Sequence, residues 1–255
     1  MVTPSRMSNP WSGSLLWSLC LTASVLLYGF WPDIDLSVSA WFFDAEYGFG
    51  ANRLDVVQTV HRIVPYAGWG LLALGLTGLV LLRGRARLAQ RLSAASLAIM
   101  MLFGVALAVN GLFKSHWGRA RPVEVSTFGG ARTYTPPLAI AAECSRNCSF
   151  VSGHASTGFA LMSLGAFGAK RRRQRWIAIG WIAGLTLGAL RIAQGGHFLG
   201  DILFAGLLIW GLTLLTRPVL RSMLVARRPA PVEAQNAFRS SAFRRRSSPE
   251  AAGPS

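Results

Sequence analysis

Six apolar stretches recur along the chain, separated by polar connections: Ser14 to Phe30, Pro65 to Leu82, Leu92 to Phe113, Gly153 to Ala169, Trp176 to Ala193 and Phe198 to Thr216. Each approaches the roughly 20 residues that a helix needs to cross a hydrocarbon core about 30 Å thick. Glycine is frequent inside them, as at Gly68, Gly70, Gly75 and Gly78, and small residues let membrane helices approach closely. The pattern predicts an all-α, polytopic membrane bundle with six transmembrane helices. The first stretch is too long for a signal-peptide core and no small-x-small site follows it, so it reads as a retained helix. Two connections are long. One, Trp31 to Val64, carries Asp33, Asp35, Asp44, Glu46 and Asp55, and its residues 54–61 read as a short surface helix. The other runs from Lys114 to Ser152. A third, Gln194 to His197, is so short that the same ends of the last four stretches must meet.

Composition agrees with this pattern. Charged residues make up 14% and hydrophobic ones 52% of the 255 residues, whereas a soluble domain carries about 25% charge. Such apolar content excludes a wholly disordered chain, and three cysteines exclude a disulfide-dense scaffold. The formal net charge of +16 raises nucleic-acid binding as an option, but the placement of the charges answers otherwise. Arg6, the Arg83–Arg91 and Lys170–Arg175 clusters and the arginines from Arg217 onward put 18 basic residues and only two acids on one membrane face. The opposite face balances eight basic with eight acidic residues. The positive-inside rule assigns the basic face to the cytoplasm, where it meets anionic lipid. Both termini then lie in the cytoplasm. Residues 1–13 read as a cytoplasmic N-terminus, 14–216 as the membrane domain and 217–255 as a basic tail. From about Arg227 the tail lacks periodicity and is expected to be disordered.

The unusual polar residues gather at the four outward ends. Lys114 and Arg121-Pro122 follow the third stretch, Ser152-Gly153-His154 opens the fourth, Arg191 ends the fifth, and His197 and Asp201 precede and open the sixth. Polar groups at a membrane are costly and mark function. Lys114, Arg121 and Arg191 suit a phosphate dianion, and arginine can grip two oxygens at once. Ser152 and Gly153 sit at a helix start, where free N–H groups attract anions. His197 and Asp201 are spaced i, i+4, so the carboxylate can fix the ring's tautomer and leave the other nitrogen as a nucleophile. His154 is then free to protonate a leaving alkoxide. Singly, each has an ordinary explanation: Lys114 or Arg121 as a snorkelling anchor, His154 as packing, Arg191 as a helix-end cation. Jointly, on one membrane face, they point to phosphoryl chemistry. His61 reads as a surface or interface histidine. His116 and Arg119 lie within the first group, where substrate contact and an interface role are equally open.

The three groups resemble the motifs of the type 2 phosphatidic acid phosphatase family, related to the vanadium haloperoxidases. Lys114 to Pro122 corresponds to the first motif, Val151 to His154 to the second and Leu190 to Asp201 to the third, within a resemblance spanning residues 60–216. Two positions depart from the family pattern: Val151 stands where proline is usual, and Leu190 where serine is usual, which removes one phosphate hydrogen bond. The resemblance implies a haloperoxidase-like helical bundle, a phosphohistidine at His197, His154 as general acid, and no metal or other cofactor. The loop residues Phe128 to Pro137 and Cys144 to Ser156 resemble a bacterial subgroup that includes lipid A 4′-phosphatases. Cys144 and Cys148 face an oxidising compartment in this topology, and a disulfide there would pin the loop, although the four-residue spacing demands suitable geometry. Cys20 reads as ordinary packing.

The resulting expectation is a multi-pass inner-membrane lipid phosphatase with a periplasmic active site, its partners a phosphorylated membrane lipid and the bilayer rather than nucleic acid. Lipid A is the first choice of substrate. Undecaprenyl pyrophosphate and phosphatidylglycerol phosphate follow, and a lipid-to-lipid phosphotransferase would use the same residues. A flippase or scaffold would be expected to lack part of the catalytic set.

Overall fold

The computed structural model describes residues 12–226 and is predominantly helical. In chain order the helices are α1 (Ser12–Phe30), α2 (Ile34–Ala40), α3 (Asp55–Leu81), α4 (Leu88–Ile99), α5 (Lys114–His116), α6 (Gly153–Phe159), α7 (Lys170–Ala193) and α8 (Leu199–Ala226). A π-helical stretch, Met100–Phe113, joins α4 to α5, so that Leu88–His116 is one continuous rod.

Among the described residues, five helices are long and apolar enough to cross a membrane: α1, α3, the Leu88–His116 rod, α7 and α8. The fourth apolar stretch behaves differently from the others. α6 has seven residues and passes directly into a 3-10 segment, Ala160–Gly165. At a rise of about 1.5–2 Å per residue the two together fall short of a hydrocarbon core about 30 Å thick. Ala155, Ser156, Phe159, Ala160 and Met162 are fully buried, so this run is apolar because protein encloses it.

Helix boundaries shift in three further places. Residues 55–61, expected as part of a separate surface helix, are the first turns of α3, which incorporates Pro65. The basic cluster Lys170–Arg175 forms the first turns of α7. α8 continues to Ala226, past the expected end at Thr216; the expected disorder from Arg227 lies outside the described residues.

The Leu88–His116 rod and α8 are the most enclosed of the long helices, while α1 is the least enclosed and packs on the core through Trp17, Leu21, Leu27 and Tyr28. Leu15, Leu19, Tyr66, Trp69 and Leu107 point outward, as lipid-facing residues should. Close packing depends on small residues. A Cβ on Gly158 of α6 would lie 2.7 Å from the backbone of Gly184 on α7, and one on Gly75 of α3 would lie 2.8 Å from the backbone of Ala98 on α4.

A small antiparallel ribbon, β1 (Phe43–Asp44) and β2 (Gly48–Phe49), packs at the end of the bundle where α7 gives way to α8. Asp44 closes its turn by accepting from the N–H groups of Glu46 and Tyr47, both at 2.9 Å. Phe49 joins Ala120, Val125, Phe128 and Phe198 in a second apolar cluster. That cluster ties the segment after α5 to the residue that follows His197.

Candidate active site

The chain leaves α7 through Gly195, whose φ of +65° suits glycine. Gly195 and Gly196 return hydrogen bonds to the carbonyls of Ile192 and Arg191, at 2.8 and 2.9 Å. This tight exit places His197 between α7 and the start of α8. The His197 ring is buried, and its Nδ1 lies 3.5 Å from Oδ2 of Asp201.

Asp201 is held from several directions. Its Oδ2 accepts from the backbone N–H of Phe198 at 2.8 Å and from the Ser149 hydroxyl. Ser149 Oγ also lies 3.5 Å from Nδ1 of His197, so it bridges ring and carboxylate. The other carboxylate oxygen takes a hydrogen bond from Nη1 of Arg119. Burial drives the His197 pKa down to about 3, helped by the positive charges of Lys114 and Arg191 and opposed by Asp201. The imidazole is therefore neutral near pH 7, and Nε2 has no hydrogen bond among the described residues.

Arg119 is wholly buried. Besides Asp201 it reaches Oδ2 of Asp35 at 2.6 Å and the Thr135 carbonyl at 2.7 Å. Its guanidinium packs over the Phe198 ring at 4.4 Å. Burial alone would lower its pKa, but the flanking Asp201 and Asp35 raise it overall, so it stays cationic. Asp35 also accepts from the Tyr28 hydroxyl and from the Gly200 N–H, each at 2.7 Å.

Lys114 and Arg121 of the first motif share one loop residue. Lys114 Nζ donates to Oδ1 of Asn147 at 3.2 Å, and Nη2 of Arg121 donates to the Asn147 carbonyl at 2.7 Å. Asn147 adopts φ +53°, a conformation asparagine tolerates. It sits inside the ring closed by the Cys144–Cys148 disulfide, whose Cα atoms are 5.6 Å apart. The Cys148 N–H also bonds the Lys114 carbonyl at 3.1 Å.

Ser152 caps α6, accepting from the Ala155 N–H at 3.4 Å. Gly153 brings the backbone close to Lys114: a Cβ there would lie 3.5 Å from Lys114 Cε. His154 stacks on His61, with centroids 4.6 Å apart. Arg191 Nη1 donates to Oε1 of Gln194 at 2.6 Å and to Nδ1 of His61 at 3.2 Å.

All eight residues singled out from sequence for catalysis or phosphate binding therefore lie at one end of the bundle. Five supporting residues lie outside that reading: Ser149, Arg119, Asp35, Asn147 and His61. Arg119 was legible as part of the first motif, but its burial was not. His61 carried one signal, a histidine four residues before a proline in an apolar helix.

A bundle of long apolar helices with buried ionisable groups at one end is a multi-pass membrane protein with a polar reaction centre. Residues 93–222 match the sequence model of the PAP2 superfamily, and the chain belongs to that superfamily. It is 42% identical over 115 residues to a lipid A 4′-phosphatase of Francisella tularensis subsp. novicida, covering 45% of this chain and 52% of that protein. The chain thus spans about half the length of this relative. It is also 29% identical over 196 residues to a lipid A 4′-phosphatase of Rhizobium etli, covering 71% and 76% of the two chains. A lipid A 4′-phosphatase of Rhizobium leguminosarum is 29% identical over 201 residues, with 72% and 86% covered. No solved structure matches the chain.

Proposed function

We propose that this protein is a lipid phosphatase of the inner membrane that removes a phosphate monoester from lipid A at the periplasmic face. The observation that carries the reading is the buried, neutral His197 ring, oriented by Asp201 and flanked by Lys114 and Arg191. The names of the three relatives favour lipid A and its 4′-phosphate. The basic residues on the opposite face favour cytoplasmic termini and a periplasmic site.

In the first step Nε2 of His197 attacks phosphorus while the bond from phosphorus to the lipid oxygen breaks. His154, carrying protons on both nitrogens, gives its Nδ1 proton to the departing oxygen. In the second step water attacks phosphorus, the phosphorus–nitrogen bond breaks and His154 takes the water's proton. Lys114, Arg121 and Arg191, with the Gly153 N–H at the start of α6, offset the charge on the phosphoryl oxygens. Asp201 stabilises the ring as it becomes cationic.

The test is phosphate release from 4′-phosphorylated lipid A by purified protein, alongside trapping of a phosphoenzyme. Wild type should release inorganic phosphate and form the phosphoenzyme, and His197→Ala should do neither. Turnover persisting in His197→Ala, or a phosphorylated lipid product in place of free phosphate, refutes the hydrolase assignment.

A further inference from the structure

His61 lies outside the three motifs, yet it touches a residue of two of them. Its Nδ1 is 3.2 Å from Nη1 of Arg191, and its ring stacks on His154 with an interplanar angle of 16°. Its backbone carbonyl lies 3.1 Å from Nε2 of His154. These contacts fix the protons. A guanidinium only donates, so Nδ1 of His61 accepts and the ring proton sits on Nε2. A carbonyl only accepts, so Nε2 of His154 carries a proton and Nδ1 is the position left for proton exchange.

The sequence explains why that carbonyl is free. Within α3 the carbonyl of residue 61 would ordinarily accept from the N–H of residue 65. Residue 65 is proline, inside the helix, with no N–H to give. Pro65 thus leaves the His61 carbonyl without its helical donor, and His154 takes the vacant acceptor.

Arg191 is constrained in the same way. The two protons of Nη1 go to Gln194 and His61. Nε is buried and has no hydrogen-bond partner among the described residues. Nε and Nη2 form the guanidinium edge that can grip two oxygens of one phosphate. Gly196 leaves room for that group, since a Cβ there would stand 2.1 Å from Nη2.

We infer that His61 is a positioning residue: with Pro65 freeing its carbonyl, it holds the open edge of Arg191 for a phosphate and turns Nδ1 of His154 toward the scissile oxygen. This rests on the phosphatase reading for the reaction itself, but its binding half can be tested without turnover. The experiment uses the full chain in nanodiscs, with inorganic phosphate as the binding probe and 4′-phosphorylated lipid A as substrate. His61→Asn keeps an acceptor near the place of Nδ1, whereas His61→Phe keeps the ring face without it. Phosphate affinity should fall roughly tenfold in His61→Phe and stay within about twofold of wild type in His61→Asn. Pro65→Ala returns an N–H to compete for the His61 carbonyl. It should lower kcat roughly fivefold with phosphate affinity unchanged, although removing a helical proline ordinarily favours the helix. Equal loss in His61→Phe and His61→Asn, or no loss in either, overturns the Arg191 half. An unchanged kcat in Pro65→Ala overturns the His154 half. A wild type that shows the phosphate-binding pattern but releases nothing from lipid A refutes the phosphatase reading and leaves the Arg191 half standing.

Discussion

Arg119 grips Asp201 from inside the protein, donating from Nη1 to the carboxylate oxygen that faces away from His197. Its Nη2 is spent on Asp35, and all three side chains are fully buried. One guanidinium therefore compensates two carboxylates, one of which orients the histidine. Removing one partner from a buried ion pair costs about 3–5 kcal/mol, because the remaining charge is left uncompensated.

Arg119→Lys keeps the charge but cannot span both carboxylates with a planar fork. We expect the thermal unfolding midpoint and kcat to fall together. The loss should be partly relieved by adding Asp35→Asn, which removes the second carboxylate. Differential scanning fluorimetry and phosphate-release kinetics on the single and double variants measure this. Wild-type values for Arg119→Lys would show that the network does not hold Asp201.

Asp201→Asn keeps the size of the side chain and removes the charge that stabilises a cationic phosphohistidine. By analogy with a carboxylate that orients a catalytic histidine, kcat should fall by ~10²–10⁴. Inorganic phosphate should bind as before, because Lys114, Arg121 and Arg191 are intact. Ser149→Ala tests the bridge between Nδ1 and the carboxylate, and should lower kcat roughly tenfold or less with similar selectivity. Weakened phosphate binding with kcat preserved would assign Asp201 to binding instead.

Much of this arrangement could be read from the chain. Of the six apolar runs read as membrane helices, five coincide with helices of membrane length, and the spacing of His197 and Asp201 matched their meeting at the head of α8. The limits have physical causes. Gly153 to Ala169 reads like a membrane span because enclosure by protein and enclosure by lipid select the same side chains. Pro65 looks like a helix start, yet α3 begins ten residues earlier at Asp55, since polar residues at a membrane surface need no apolar periodicity. Asp35 and Ser149 carry no local signal: their charged partners, Arg119 and Asp201, lie 84 and 52 residues away in sequence, and only the tertiary fold brings them together.

Asn147 couples the disulfide loop to Lys114 and Arg121 of the first motif. Reduction should loosen that loop and, with it, the placement of Lys114 and Arg121. KM for the phosphorylated lipid should rise several-fold while kcat changes less, since His197 and Asp201 are anchored elsewhere. Cys144→Ser/Cys148→Ser should behave like reduced wild type and gain nothing further from reductant. A KM insensitive to both treatments would show that Asn147 keeps its grip without the cross-link.

The proposed chemistry assigns charge neutralisation to the protein's own groups. Activity should therefore survive EDTA, and orthovanadate should inhibit by forming a trigonal-bipyramidal adduct on His197 that mimics the transition state. His197→Ala should not bind vanadate tightly. Activity lost in EDTA and restored by a divalent ion would require a different mechanism.

The charge asymmetry yields the last prediction. If the Arg83–Arg91 and Lys170–Arg175 clusters face the cytoplasm, the Cys144–Cys148 loop faces the periplasm. Spheroplasts treated with a reductant and then a membrane-impermeant maleimide should label this loop while intact. Cys20 lies within α1 and is partly buried, and a Cys20→Ser background removes its contribution. A cysteine placed beside Lys170 should react only after lysis, because it belongs to the opposite face. Labelling in the reverse order would invert the bundle and turn the site toward cytoplasmic lipid, which is incompatible with action on a lipid whose phosphates are reached from the periplasm.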